Sequence, residues 1–174
     1  YTRIFYGYTA VRMLSIPAGV TAIGAYAFAN CGNLSSVSFA EDSSLASIGN
    51  NAFYNCTSLQ EIGLPDSLRS VGSNAFSGCG ALSSVDLGEG IQTIGSGAFS
   101  SCYALKTLTI PASVTDIHSS AFSSCSLAEV YNLAGDIENI PAAENVYGQE
   151  GGSLLVTAGD YTFLYIPAQG DNAA

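Results

Sequence analysis

Residues 50–56 read NNAFYNC, and the same Ala-Phe-x-x-Cys core returns in AYAFANC (25–31), SNAFSGC (73–79), SGAFSSC (96–102) and SSAFSSC (119–125). The five cysteines, Cys31, Cys56, Cys79, Cys102 and Cys125, are spaced by 25, 23, 23 and 23 residues. Two readings compete: a chemistry of five thiols, or a wall of five identical bricks. The spacing favours bricks. A zinc site wants soft ligands in closely spaced pairs, whereas this chain has no Cys-x-x-Cys and His118 as its one histidine. An odd number of cysteines also fits no complete disulfide framework. A small thiol beside a bulky ring fills the same volume in every repeat, and free cysteine packs as a small hydrophobe.

Aligned on the Ala-Phe pair, each unit reads in outline L-x-x-V-x-L-(P)-x-x-(L/I/V)-x-x-I-G-x-x-A-F-x-x-C. The leading apolar positions are Val11/Leu14/Ile16, Leu34/Val37/Phe39, Leu59/Ile62/Leu64, Leu82/Val85/Leu87 and Leu105/Leu108/Ile110. A second pair follows at Val20/Ile23, Leu45/Ile48, Leu68/Val71, Ile91/Ile94 and Val114/Ile117. The two extra residues of the 25-residue unit fall near Glu41-Asp42-Ser43-Ser44, an outward loop where insertion is cheap.

The end of L-x-x-V-x-L alternates, which predicts a short strand with its apolar side chains inward. Proline follows at 17, 65 and 111 and ends the pairing there. Gly24, Gly49, Gly72 and Gly95 mark a turn. Beyond it, Ala-Phe-x-x-Cys predicts about one turn of helix, since residues three apart share a helical face. One unit cannot bury this pattern alone, so the units must stack at ~4.8 Å per rung into a parallel sheet. The expected fold is an α/β-type repeat solenoid: a right-handed leucine-rich-repeat superhelix with a concave parallel sheet and one-turn helical or irregular bends on the convex side. Its six rungs would span about 30 Å.

The pattern extends to both ends. Subtracting 23 from Ala27, Phe28 and Cys31 lands on Ile4, Phe5 and Tyr8, so IFYGY reads as a degenerate repeat or N-terminal cap within residues 1–10. Leu127 and Val130 predict a sixth strand, and Ile137 and Ile140 sit 23 residues after Val114 and Ile117. The array is therefore expected over residues 1–140. In 141–174, PAAENVYGQEGG reads as a loop, SLLVTAGDYTFLYIP as a closing hairpin or last strand, and AQGDNAA as a frayed tail.

The 23-residue unit in LSIPAGVTAIGAYAFANC and LTIPASVTDIHSSAFSSC resembles the BspA-like class of leucine-rich repeats. The resemblance covers about residues 4–140. It implies a secreted or cell-surface protein, commonly bacterial, with a role in adhesion to host matrix proteins or other cells. Two positions depart from the pattern: His118 stands where glycine recurs, and Asn132 where the strand's last apolar residue belongs.

Charge narrows the partners. Fourteen acids oppose Arg3, Arg12, Arg69 and Lys106, for a net charge of −10. Four bases cannot coat a phosphate backbone, so nucleic acid is not an expected partner, nor is an anionic membrane surface. The apolar runs fall far short of the ~20 residues that span a bilayer, so no membrane insertion is expected. YTRIFYGYTAV begins mid-pattern and carries no basic-then-apolar leader, which says nothing against secretion.

Repeat scaffolds bind along the sheet through outward strand residues. Here these are Met13, Ser36, Glu61, Ser84, Thr107 and Glu129 in one row, and Ser15, Ser38, Gly63, Asp86, Thr109 and Tyr131 in the next. The candidate binding residues are Glu61, Asp86, Thr107, Glu129 and Tyr131, with Glu129 and Tyr131 the best polar-aromatic combination. The expected partner is an extracellular protein or glycan, and the alternative is a spacer that presents another domain. Catalysis would rest on Glu61 and Asp86, two positions offset on neighbouring rungs at roughly 8 Å, a spacing admissible for an inverting glycosidase pair. A flat exposed sheet gives such a pair neither shielding nor separated pKa values, so no catalytic residue is assigned and no enzyme is expected. No G-x-S-x-G accompanies the single histidine. His118 reads as a surface turn residue. Glu41-Asp42 lacks the spacing of a calcium loop, so neither metal nor cofactor is called for. Asn33-Leu34-Ser35 and Asn55-Cys56-Thr57 match glycosylation sequons, each with a core residue in its middle.

Overall fold

In the computed structural model the described residues are 5–135, 137–150, 153–158 and 161–165. They form a parallel-strand solenoid of about five turns. Each turn carries a longer strand and then a two-residue strand. The longer ones are β1 (Met13–Ile16), β3 (Ser36–Phe39), β5 (Glu61–Gly63), β7 (Ser84–Asp86), β9 (Thr107–Ile110) and β11 (Glu129–Asn132). The short ones are β2 (Ala22–Ile23), β4 (Ser47–Ile48), β6 (Ser70–Val71), β8 (Thr93–Ile94) and β10 (Asp116–Ile117).

Pairing follows the repeat period residue for residue. Leu14 lies opposite Val37, Ile62 opposite Val85, and Leu108 opposite Val130. The short strands form one continuous parallel sheet, β2-β4-β6-β8-β10. The longer strands pair as β1-β3, β5-β7 and β9-β11, while β3 lies beside β5, and β7 beside β9, without a continuous ladder. Prolines do what their position predicts. Pro17 and Pro111 directly follow β1 and β9, and the carbonyls of Pro17, Pro65 and Pro111 accept from Val20, Leu68 and Val114 to close the next turn.

A column of six phenylalanines runs through the rungs. Phe5, Phe28, Phe53, Phe76, Phe99 and Phe122 stack with centroids 5.1–5.4 Å apart and ring planes within 11° of parallel. Beside it runs the thiol column, with Cys31, Cys56, Cys79 and Cys102 buried, Cys125 half-buried, and all five reduced. Phe5 belongs to both columns. Its ring stacks on Phe28, and its carbonyl accepts the Cys31 thiol at 3.0 Å, so IFYGY behaves as a partial rung. Ile4 lies outside the described residues.

The expected one-turn helix is absent: the described residues contain no helix, and Ala-Phe-x-x-Cys forms a turn instead. The reason is visible in the backbone. Left-handed residues flank the first four Ala-Phe-x segments on both sides: Tyr26 and Asn30, Asn51 and Asn55, Asn74 and Gly78, Gly97 and Ser101. This conformation, which Asn and Gly tolerate best, breaks the helical ladder on both sides. Successive N–H groups then alternate. Cys31 N donates within its own turn to Phe28 O at 3.2 Å, while Phe28 N and Asn30 N donate to Ala52 O and Tyr54 O of the next rung at 2.8 and 2.7 Å. Phe28 and Cys31 still share a side, because a three-residue turn brings them together as a helix would.

Gly49, Gly72 and Gly95 answer to crowding rather than to a left-handed backbone. A Cβ on Gly72 would meet Asn50 N at 2.8 Å and Gly49 C at 2.9 Å, both backbone atoms of the preceding rung. His118 occupies that position in the last full turn, where the local pattern changes. Ser120 is not left-handed like its equivalents, and its hydroxyl takes the bond from Gly97 N, at 3.2 Å, that a backbone carbonyl accepts in earlier rungs.

Past β11 the repeat gives way. Ile140 is exposed rather than buried, and the short-strand sheet ends at β10. In place of another strand, the Asn139 side chain donates to Ile117 O at 3.0 Å, filling the role the next rung's backbone N–H plays elsewhere. The segment read as a loop contains β12 (Asn145–Glu150), which pairs parallel with β11. An edge strand's open N–H and C=O groups recruit a neighbour through backbone alone, so no apolar period was needed. Then β13 (Ser153–Ala158) and β14 (Tyr161–Tyr165) add antiparallel to β12 and to one another. The tail read as frayed, 168–174, lies outside the described residues.

Candidate binding face

The outward rows of the longer strands stay in register. Met13 pairs with Ser36 and Ser15 with Ser38; Glu61 pairs with Ser84 and Gly63 with Asp86; Thr107 pairs with Glu129 and Thr109 with Tyr131. Most of these residues are exposed, with Ser36, Glu129 and Tyr131 half-buried. Strand alternation explains the split, since Val37, Ile62, Leu108 and Val130 between them point into the core.

The structure brings Glu129 and Tyr131 together. The Tyr131 hydroxyl donates to Glu129 Oε2 at 3.0 Å, and this bond, with Glu129's charge, raises the phenol above its ordinary range. Sequence reasoning missed a third member. Tyr147 on β12 lies opposite Tyr131, and the rings stack at 4.8 Å with planes 14° apart. Only the strand pairing β11–β12 reveals Tyr147, because the residues around it carry no period. Thr107, opposite Glu129, completes the patch.

Glu61 and Asp86 line one shallow depression of about 170 Å³, together with Ser36, Val37, Ile62, Gly63 and Ser84. Asp86 is committed elsewhere: its Oδ1 accepts Gly88 N at 3.0 Å and fixes the loop after β7. The other loop charges serve the fold in the same way. Asp66 Oδ1 accepts Glu89 N at 2.8 Å, and Arg69 Nη1 donates to the carbonyls of Asp66, Leu68 and Gly90 at 2.8–3.2 Å. His118 is exposed, with Nδ1 3.0 Å from Ser120 Oγ. Asn55 of the second sequon is half-buried, left-handed, and donates to Asn30 Oδ1 at 3.3 Å, whereas Asn33 of the first is exposed.

The thiols are more than filler. Each donates to the phenylalanine carbonyl one rung back: Cys31 to Phe5, Cys56 to Phe28, Cys79 to Phe53, Cys102 to Phe76 and Cys125 to Phe99, at 3.0–3.4 Å. Neighbouring thiols also act on each other. Contact with Cys79, then burial, pushes Cys56 well up, and Cys125 with burial does the same to Cys102. Cys125, at the end of the column, is pulled down by Cys102. No group of residues able to hold a metal ion occurs among the described residues, and no helix there is long and apolar enough to cross a membrane.

The BspA-type leucine-rich repeat region matches residues 1–129 in six copies. No curated protein matches the chain. Among solved structures, a leucine-rich cell surface protein of Faecalibacterium prausnitzii is 30% identical with a TM-score of 0.69, over 91% of this chain and 46% of that one. The pneumococcal vaccine antigen PcpA is 27% identical with a TM-score of 0.65, over 82% of this chain and 34% of its own. TpLRR of T. pallidum is 27% identical with a TM-score of 0.61, over 80% of this chain and 70% of its own. The chain thus spans about a third of PcpA and under half of the Faecalibacterium protein. Such solenoids are typically non-enzymatic scaffolds, and leucine-rich repeat proteins generally bind proteins. With its period, thiol column and six matched copies, this chain belongs to the BspA-type leucine-rich repeat family.

Proposed function

We propose that the chain is a non-enzymatic recognition and adhesion module of a secreted or cell-surface protein. It would bind a host or neighbour-cell protein or glycan through the outward rows of the longer strands. The observation that carries this reading is the hydrogen-bonded, ring-stacked group Glu129–Tyr131–Tyr147, set on rows that hold no other aromatic side chain. Aromatic side chains that hold a fixed pose lose little entropy on binding and are favoured contact anchors. The surface location draws support from the family and from relatives described as a surface protein and a vaccine antigen. Catalysis at Glu61 and Asp86 is disfavoured by the open depression and by the loop bond that occupies Asp86. Nucleic acid is disfavoured by charge, since Arg69, one of only four bases, is spent on backbone carbonyls.

A second reading, a spacer presenting another domain, is favoured by the first four rungs, where half of the outward positions are Ser and the others, Met13, Glu61, Gly63 and Asp86, include no aromatic side chain. A screen of the purified chain against immobilised matrix proteins and mucin glycans at physiological salt separates the two. Saturable binding that Tyr131→Ala weakens supports recognition; silence across the panel supports the spacer.

A further inference from the structure

We infer that the shelf beside Tyr131 takes an arginine or lysine side chain of a cationic protein segment. This inference rests on the recognition reading above and specifies the partner's chemistry at the same site.

The geometry is that of a ring with one face covered. Tyr147 stacks on Tyr131 at 4.8 Å, which is the spacing of neighbouring strands, so the two rings pile along the sheet axis. The opposite face of Tyr131 therefore looks toward β9, where its partner in register is Thr109, a small and exposed residue. Tyr131 and Glu129 form the back and side of this shelf, with Thr109 and Thr107 as its floor. The hydroxyl bond holds the Glu129 carboxylate beside the ring. Among the described residues, Glu129 forms no ion pair, and no lysine or arginine occupies any of the twelve outward positions.

A cation is the guest that satisfies both walls. Within ~6 Å of an aromatic centroid it is attracted by the ring's negative face, and here the same guest also reaches a carboxylate. The rest of the molecule works in the same direction. Fourteen acids against four bases, with Glu61 and Asp86 on the same face, attract a basic segment along the sheet and repel anionic chains. Acidic glycans meet that field as like charges. A guanidinium also suits the floor, since its planar donors reach threonine hydroxyls while its face lies on the ring.

The test uses the whole chain and a fluorescent decapeptide of alternating arginine and serine, beside the same peptide with citrulline for arginine. Binding is read by anisotropy at low and physiological salt. The arginine peptide should bind and the citrulline peptide should not, with affinity falling as salt rises. Glu129→Gln and Tyr131→Leu should each weaken binding about three- to five-fold, in line with an exposed ion pair or ring contact. Tyr131→Phe, which keeps the ring, should retain most of it. Unchanged thermal midpoints show that the variants remain folded. Arginine-peptide binding indifferent to both substitutions would overturn the shelf in favour of diffuse charge attraction. Mucin glycan binding that needs Tyr131 but not Glu129, with no peptide binding, would overturn the cation assignment and leave recognition standing. No binding of peptide, matrix protein or glycan would overturn both.

Discussion

Cys79 donates its thiol to the carbonyl of Phe53, one rung behind, at 3.2 Å, and that carbonyl also accepts the backbone N–H of Cys56 at 3.2 Å. The phenylalanine carbonyl is thus the point where one turn closes and the next is tied on. The carbonyls of Phe28 and Phe76 accept the same pair of donors, and every thiol in the column reaches back to a phenylalanine carbonyl, so the column is a set of cross-links made by hydrogen bonds.

Thiol-specific labelling should follow the column's geometry. Cys31, Cys56, Cys79 and Cys102 are buried and should react only on unfolding, while Cys125 is half-buried and should react first. Cys102 pulls the Cys125 thiol down, so its labelling should begin at lower pH than that of an ordinary thiol. Peptide mapping after timed alkylation of the native protein reads the order; rapid reaction at Cys56 or Cys79 would contradict it.

Alkaline pH should loosen the fold through the same residues. Cys56 and Cys102 have their folded-state pKa values raised above the ordinary 9.0. Below about pH 9 their protons are bound in both states and the stability is fully present. As pH rises past it, the unfolded chain releases those protons while the fold retains them, so stability falls. Urea midpoints measured from pH 7 to 10.5 should drop, and replacing both residues by alanine should flatten the drop.

Phe76 sits fully buried between Phe53 and Phe99 at 5.1 and 5.2 Å. Phe76→Ala should cost about 3–5 kcal/mol, as a core truncation that its stacked neighbours cannot fill. Phe5 is 39% exposed at the end of the column, so Phe5→Ala should cost much less. Equal unfolding midpoints for the two variants would refute the column as a cooperative core.

Two glycines should respond oppositely to the same methyl group. Gly72→Ala drives a Cβ into the backbone of Asn50 and Gly49, and should cost on the order of 1–3 kcal/mol. Gly63 has nothing within 4 Å of its Cβ position and lies in β5, so Gly63→Ala should be neutral or slightly stabilising. Thermal unfolding of the pair gives the comparison.

Asn132 looks like an error in the repeat and is not one. It is buried, donates from Nδ2 to Gly135 O at 2.8 Å and accepts Ala134 N at 3.1 Å, building the turn after β11 from its own side chain. Asn132→Leu, which restores the family's apolar pattern, should therefore destabilise by about 1–3 kcal/mol because it leaves those backbone groups unpaired. A gain in stability would show that packing outweighs the turn.

Asn132 also shows where the sequence was legible and where it was not. Positions that repeat, such as Val37, Ile62 and Leu108, declared their burial because the period repeats one environment. The turn was misread as helix because a spacing of three from Phe28 to Cys31 fits both. The deciding signal lay in the flanks, where Asn51, Asn55 and Asn74 tolerate a left-handed backbone and a helix would have no use for it. The thiol donors were hidden by treating cysteine as a hydrophobe, which is right about volume and silent about the S–H bond. Tyr147 was hidden because β12 is recruited by the backbone of β11, and backbone pairing leaves no trace in side-chain pattern. Glu129 and Tyr131 stood out by chemistry alone, and the structure adds the hydrogen bond between them.

The alternation of bonds within each Ala-Phe turn has one more consequence. Phe28, Phe53, Phe76 and Phe99 donate forward to the next rung's alanine carbonyl at 2.7–2.8 Å, while each thiol donates backward. Along this turn, neighbouring interior rungs therefore offer one another the same sockets and pins. Gene duplication can lengthen or shorten such a scaffold in steps of one ring spacing, 5.1–5.4 Å, without redesigning a joint. Natural selection is then free to set the tyrosine-bearing end at a chosen reach, as marks on a ruler, while the material of the ruler stays the same.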